Sequence, residues 1–509
     1  MLAKINSFGL DGIKGYGVTV EIDIGSGMPV IDVVGLPDTA VKESKERVRS
    51  AIRNSGYMFS PKKITVNLSP ADTKKSGAMY DLPIALGMLY ATEQFACSDL
   101  DSFGILGELS LDGKIKPVRG ILPIIISALD LGCKKVIVPK ANVNEASYID
   151  GIEIYGFETL KEVVDFLTNP AFYEPEPKLN ILELRDESKF TEDFSLVKGQ
   201  FAAKRAMEIA AAGGHNILMI GPPGGGKTML ARCLPTILPD LSVAEALETT
   251  KIHSVAGLLD DKTGIIVNRP FRAPHHTGSK VALTGGGSSA RPGEISLAHN
   301  GVLFLDELLE YPRDSLEILR QPLEDGVVTI ARAQRTVEYP ANFMLVASMN
   351  PCPCGNFGSR THECTCTPVK INKYMSKLSG PLMDRIDLHI EVDNVTYGDL
   401  SSKERGETSA EIKQRVNKAR QIQLARFEGQ GVYSNAKMNN LMVSTYCQLD
   451  GESEALLKMS FERLGLSARA YNRILKVART IADLDGSENI AVNHIAEAIG
   501  YRSLDRRVK

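Results

Sequence analysis

Gly221-Pro222-Pro223-Gly224-Gly225-Gly226-Lys227-Thr228 decides how the rest of the chain is read. An apolar run, Asn216-Ile217-Leu218-Met219-Ile220, comes before it, and a helical pattern from Met229 to Leu234 comes after. This is the G-x-x-x-x-G-K-[ST] phosphate loop in the strand–loop–helix setting that it requires. Glycines let backbone N–H groups curl around phosphate oxygens without a Cβ in the way. Lys227 is expected to reach the β- and γ-phosphates of ATP, and Thr228 to ligate Mg²⁺, at a helix N-terminus whose dipole favours anions. A glycine-rich turn that binds nothing is the competing reading, and the full eight-residue match in its proper context argues against it.

The chain has 509 residues, too many for one core, and its length suggests about three domains. With 43% hydrophobic and 24% charged residues it has an ordinary globular composition. The net charge of −3 argues against a polybasic nucleic-acid binder, although a ring can keep local positive charge inside. No apolar run is long enough for a membrane span, and the first residues lack a signal-peptide core, so the expected location is cytoplasmic. Cys97, Cys133, Cys233 and Cys447 stand among apolar neighbours and read as reduced core residues.

Residues 1–168 read as an independent α/β unit. Tyr16 to Ile24 alternates as a strand, with Ile31-Asp32-Val33-Val34-Gly35 expected as its hairpin partner. A helix is expected from Pro37 to Asn54, capped by Asp38, followed by a strand at Lys63–Leu68, a helix at Leu82–Thr92 and a strand at Lys135–Pro139. The stretches Lys75–Leu82 and Gly107–Ile115 resemble the proteolytic domain of Lon, which has a ribosomal-protein-S5-domain-2-like fold. Lon works through a Ser–Lys dyad. Met79 stands at the position matching the nucleophile, and Ile121-Leu122-Pro123-Ile124 at the lysine site. Neither side chain supports covalent catalysis, so the resemblance implies an inactive relative without protease activity.

Residues 169–193 hold Pro170, Pro175 and Pro177, with acidic residues outnumbering basic ones, and are expected to form an extended, solvated linker. Residues 194–395 read as the ATPase core. Gly301-Val302-Leu303-Phe304-Leu305-Asp306-Glu307 is an apolar strand delivering two carboxylates, the Walker B arrangement. Asp306 is expected to hold Mg²⁺ and Glu307 to polarise the attacking water. Alone, such a pair could merely cap a helix. Asn350 ends a third strand from Asn342 and is placed either to sense the γ-phosphate or to begin an Asn-Pro turn. Arg385, in Pro381–Asp387, is either an arginine finger reaching a neighbouring subunit or a structural partner of Asp384 or Asp387.

Two insertions interrupt the core. Asp260–Glu294 contains Phe271-Arg272-Ala273-Pro274-His275-His276-Thr277 and Gly285-Gly286-Gly287. Adjacent histidines diverge and lack metal-ligand spacing, so a loop role is expected, structural or toward a polymer in a pore. Gly326–Glu338 reads as a hairpin whose Arg332 and Arg335 either touch phosphates or provide solubility. Cys352, Cys354, Cys364 and Cys366 form two C-x-C pairs. They are either a tetrahedral Zn²⁺ clip, at tighter than usual spacing, or reduced packing thiols or a redox pair.

Residues 400–509 read as a C-terminal helical domain with helices at Ser409–Phe427 and Ser467–Arg479, and Lys and Arg outnumber Asp and Glu here. The basic faces are either simply solvated or belong to a lid whose Arg469 contacts the nucleotide while other cations face nucleic acid.

Taken together the motifs resemble the magnesium-chelatase-like branch of the AAA+ ATPases, and across essentially the whole chain the YifB/ComM family. The strings that carry the resemblance are Phe271–Thr277, Arg291-Pro292-Gly293-Glu294-Ile295-Ser296-Leu297-Ala298-His299, Asn350–Gly355 and Ala478–Leu484. It implies an AAA+ P-loop core with Asn350 as sensor 1, Arg385 as the finger and Arg469 as sensor 2. It also implies homohexameric rings acting on DNA, branched, duplex or single-stranded, in branch migration during competence and recombination. The alternative it leaves is a chelatase-type or protein-remodelling ATPase with a protein partner. Chelatase subunits lack the Lon-like domain, which weighs against the chelatase version.

Overall fold

The computed structural model describes residues 2–184, 191–260, 262–287, 290–332, 335–358, 362–394, 398, 401 and 406–502. The chain divides into two compact units, Met1–Arg185 with Ser242–Val267, and Asp186–Leu241 with Asn268–Lys509.

In the first unit β1 (Leu2–Asp11) and β2 (Lys14–Gly25) form an antiparallel hairpin in register from Leu2↔Asp23 to Asp11↔Lys14. Ala3, Ile5, Val18, Val20 and Ile22 point inward on alternate positions, as a half-buried sheet requires. β3 (Val30–Val34) is not the hairpin partner of β2: it runs parallel to β4 (Lys63–Ser69) at the sheet edge, and β4 pairs antiparallel with β2. The 16-residue helix α1 (Thr39–Asn54) lies between β3 and β4 and provides the crossover a parallel pair needs. Asp38 caps it, accepting from Val41 N–H at 2.9 Å. With β5 (Phe103–Ile105), β6 (Lys135–Pro139) and β7 (Glu153–Phe157) the sheet has seven strands in the order β3-β4-β2-β1-β5-β6-β7.

Helices α2 (Asp81–Ala91) and α3 (Ile121–Asp130) pack on this sheet. Met79 rests against the core, and Ile121, Leu122 and Ile124 are fully buried, so the two stretches matching the Lon dyad are filled by packing side chains.

The stretch after residue 168 is exposed at nearly every position up to Asn180, and a few hydrogen bonds tie it to the first unit. Glu176 N–H donates to Ile154 O at 2.8 Å, Leu179 N–H to Ser147 O at 3.1 Å, and Lys178 Nζ to Ile149 O at 2.6 Å. Residues 185–190 of the expected linker lie outside the described residues.

The second unit is built on a parallel five-stranded sheet. Its strands are β8 (Ile217–Ile220), β9 (Phe271–Arg272), β10 (Val302–Leu305), β13 (Met344–Met349) and β14 (Leu388–Glu391), ordered β9-β10-β13-β8-β14. β8, β10 and β13 are buried throughout, which is why they read as uninterrupted apolar runs. The separate hairpin of β11 (Val327–Arg332) and β12 (Arg335–Pro340) forms where expected; the side chains of Arg332 and Arg335 lie outside the described residues. Helix α4 (Phe201–Gly213) leads into β8, and α5 (Lys227–Cys233) follows the phosphate loop.

The next helix, α6 (Val243–Ala256), departs from the expectation that residues 194–395 form one core. A Ser242/Glu245 capping box starts it locally, but it belongs to the first unit, where Leu247 packs with the α3 cluster and Gly120 N–H donates to Ser254 O at 3.2 Å. The buried carboxylate of Glu145 accepts from Ser254 Oγ and, at 2.8 Å, from Leu122 N–H. Tyr148 Oη donates to Thr263 O at 2.7 Å.

The C-terminal helices α7 (Ser409–Arg426), α8 (Gly451–Leu464), α9 (Ala468–Leu484) and α10 (Val492–Gly500) share the core of the parallel sheet. The basic pattern of α9 is largely internal. Arg479 is buried on Asp483, at 3.1 Å, and on the carbonyls of Ser487 and Glu488. Lys476 donates to Ala436 O at 3.0 Å, and Arg473 pairs with Asp387. Only Arg469, of these four cations, is mostly exposed, at 63%. The sequence suggests either a solvated basic face or a lid with Arg469 on the nucleotide and the other cations toward nucleic acid; three of the four instead reach inward, to Asp387, Asp483 and backbone carbonyls.

Candidate nucleotide site

β8, β10 and β13 run parallel, so their C-terminal ends deliver three loops to one edge of the sheet, the place where open α/β sheets bind ligands. From β8 comes the phosphate loop. A Cβ on Gly221 would lie 2.0 Å from the carbonyl oxygen of Val392, and Gly226 has φ 84°, so neither position tolerates another residue without strain. Lys227 Nζ donates to Gly221 O and Pro222 O, each at 2.8 Å, and to Asn350 Oδ1 at 3.3 Å. Burial draws its pKa down, while the carboxylates of Asp306 and Glu307 act in the other direction.

β10 delivers Asp306 and Glu307. Thr228 Oγ1 donates to Asp306 Oδ2 at 2.8 Å, and the other oxygen of Asp306 accepts from Ser348 Oγ and, at 3.1 Å, from Glu307 N–H. Ser348 was not singled out in the sequence. It is fully buried near the end of β13, and a hydroxyl in a run of apolar strand residues is the signal that points to it. Thr228 and Asp306 together offer hard oxygen donors at one point, a fit to Mg²⁺.

Glu307 has left-handed backbone, φ 52°, and its carboxylate lies 3.5 Å from Nδ1 of His276. The His275 and His276 rings are 4.2 Å apart, so these neighbours lie side by side instead of diverging. Tyr311 Oη donates to Pro274 O at 2.5 Å and holds the loop over the carboxylates. The resulting cleft, about 400 Å³, is lined by Thr228, Arg232, Pro274, His276, Asp306 and Glu307. The histidine loop thus belongs to the cleft edge. Arg272 ties its start to the second quoted string through a two-pronged pair with Glu294 at 2.6 and 2.7 Å.

Asn350 is brought to this group; Arg385 and Arg469 are not among the residues lining the cleft. Arg385 pairs with Glu324 and donates to Pro381 O at 2.7 Å, so its carboxylate partner is neither Asp384 nor Asp387. Asp384 lies 3.7 Å from Arg469, and Asp387 takes Arg473. Burial, with the nearby charges of Arg469, Arg320 and Arg473, lowers the pKa of Arg385. Asp387 is buried, which alone would raise its pKa, but Arg473 and His215 hold it well below the usual carboxylate range. It also accepts from Asn216 N–H at 3.0 Å, and Asn216 Nδ2 donates to Arg385 O at 2.8 Å.

Cys352, Cys354, Cys364 and Cys366 converge, their sulfur atoms all within 4.8 Å of one another. Such a group could hold a metal ion.

The chain matches three family models: magnesium chelatase, subunit ChlI, over residues 193–400; subunit ChlI of Mg-chelatase over 20–142, which goes against the expectation that chelatase subunits lack this domain; and magnesium chelatase, subunit ChlI C-terminal, over 406–502. It therefore falls in the magnesium-chelatase-like class, whose relatives are AAA+-type ATPases. Within that class it is 44% identical over 515 residues to competence protein ComM of Haemophilus influenzae, covering 99% of this chain and 98% of the relative. It is likewise 44% identical over 497 residues to uncharacterized protein YifB of Escherichia coli, covering 97% and 96%. The chain belongs to the YifB/ComM family. Lon protease 2 of Bacillus subtilis is 34% identical over 149 residues, 29% of this chain and 26% of that protein. No helix among the described residues is long and apolar enough to cross a membrane.

Proposed function

We propose that this protein hydrolyses ATP as a subunit of a homohexameric AAA+ ring that moves on DNA, as a branch-migration helicase in recombination or natural transformation. The observation that carries the ATPase part is the convergence of Lys227, Thr228, Asp306 and Asn350 at one sheet edge. What supports DNA as the track is the full-length likeness to a relative named competence protein ComM.

In this reading the loop from Gly221 to Thr228 wraps the phosphates, and Lys227 neutralises the β- and γ-oxygens. Mg²⁺, held by Thr228 and Asp306, would screen charge on the phosphates. Glu307 orients and polarises the attacking water, and Asn350 senses the γ-phosphate. Arg385 acts on the ATP of the adjacent subunit and Arg469 on that of its own. What supports an action in trans is that Arg385 is not among the residues lining its own chain's cleft.

The test is the rate of ATP hydrolysis with no DNA, single strands, duplex and four-way junctions. Stimulation by DNA, greatest with junctions and absent in Lys227→Ala, is expected. A rate indifferent to every DNA, or junction remodelling that survives Lys227→Ala, would overturn it.

A further inference from the structure

The cysteine loop abuts the nucleotide site. β13 ends at Met349, Asn350 follows, and Pro351 passes the chain to the fully buried Cys352. A turn then forms, with Gly355 N–H donating to Cys352 O at 2.9 Å and Gly355 at φ 82°. This turn lets a C-x-C pair converge: Cys352 Sγ and Cys354 Sγ are 3.4 Å apart, and Cys364 Sγ is 3.7 and 3.6 Å from them. All four cysteines are free thiols, and these separations are far from the roughly 2.0 Å of a disulfide. Four sulfurs bound tetrahedrally to zinc at about 2.3 Å would be spaced about 3.8 Å from one another. Four soft donors with no oxygen ligand among them select zinc or iron over Mg²⁺ or Ca²⁺.

The same loop touches the phosphate loop in two ways. A Cβ on Gly355 would lie 2.5 Å from Cδ and 2.8 Å from Cγ of Pro223, so Gly355 is pressed against the proline ring. Two residues before Cys352, Asn350 takes the hydrogen bond from Lys227. A shift of the loop would therefore move Pro223 and Asn350 together.

We propose that the four thiols hold one Zn²⁺, and that this clip sets the phosphate loop and Asn350, so that nucleotide affinity depends on the metal. Binding forms four Zn–S bonds and releases the four thiol protons to solvent. The coupling rests on the reading of Gly221–Thr228 as a nucleotide site.

The full chain, purified under reducing conditions, is assayed for metal by elemental mass spectrometry and for affinity toward a fluorescent ATP analogue with Mg²⁺ present. Affinity is measured as purified, after stripping by a zinc-selective chelator, and after zinc is returned. One zinc per chain is expected. Stripping weakens affinity by about tenfold, the scale of a displaced binding group, and zinc restores it. The double variant Cys354→Ser/Cys366→Ser lacks the metal and shows the weakened affinity. No metal, or iron in place of zinc, overturns the site. Zinc whose removal leaves affinity unchanged overturns the coupling. If the zinc-loaded protein binds the analogue no better than Lys227→Ala does, the nucleotide reading has failed instead.

Discussion

Nδ1 of His276 lies 3.5 Å from Oε2 of Glu307, joining a loop that follows β9 to the end of β10. The contact engages the carboxylate proposed to polarise water, on a residue whose backbone is already in the left-handed region. A side chain held by an imidazole is less available to water. His276→Ala is expected to raise ATP hydrolysis in the absence of DNA by about threefold, the scale of a partly exposed pair. Steady-state phosphate release measures it. A lower rate would show that His276 instead sets Glu307 in its working position.

Ser348 holds the Asp306 oxygen that faces away from Thr228. Ser348→Ala leaves that carboxylate oxygen with one donor fewer and free to turn. The Mg²⁺ concentration needed for half-maximal hydrolysis is expected to rise roughly tenfold, in line with the loss of a hydrogen bond to a charged group. ATP affinity without Mg²⁺ should hardly move. Titrating Mg²⁺ at fixed ATP separates the two quantities.

Glu307→Gln keeps the size and polarity of the side chain and removes its basicity. Hydrolysis is expected to fall by about a hundredfold or more while ATP binding persists. If junction remodelling survives in this variant, the protein uses ATP as a clamp and not as fuel.

Asp387 carries a pH dependence whose sign follows from its depressed pKa. The folded protein binds the proton more weakly than the unfolded chain does. The stabilisation is therefore complete above the unfolded carboxylate value near about pH 4 and is lost as pH falls toward the lower folded value. Asp387→Ala leaves Arg473 without its partner, at a cost of about 3 kcal/mol. The urea midpoint of the second unit at neutral pH should drop accordingly, and that variant's stability should vary less with acid than the parent's.

The parts legible in the sequence are those fixed by neighbours along the chain. The phosphate loop, the β10 carboxylates and the amide after β13 each follow an apolar run, and parallel strands buried on both faces leave such runs. The Asp38 cap on α1 is equally local. Choices among distant partners were not legible. β3 has alternation enough for a hairpin with β2, and only the crossover through α1 gives it to β4. The Ser242/Glu245 capping box announces a helix but is silent on which core receives it. His276 meets Glu307 across a long stretch of intervening chain, and Arg473 on α9 finds Asp387 just before β14. Tertiary packing decided each of these.

Because Ser242–Val267 lies with the first unit while the residues on either side lie with the second, the polypeptide passes between the units at 185–186, at 241–242 and again at 267–268. A protease that cut only at 185–186 would free residues 1–185 as a separate chain, yet the other fragment would still carry 242–267, a portion of the first unit. An ATPase fragment begun at Asp186 would carry α6 away from the partners of Leu247 and Ser254, with its apolar side bared. The halves of this protein are sewn together, and dissecting it means excising a stitch as well as cutting a thread.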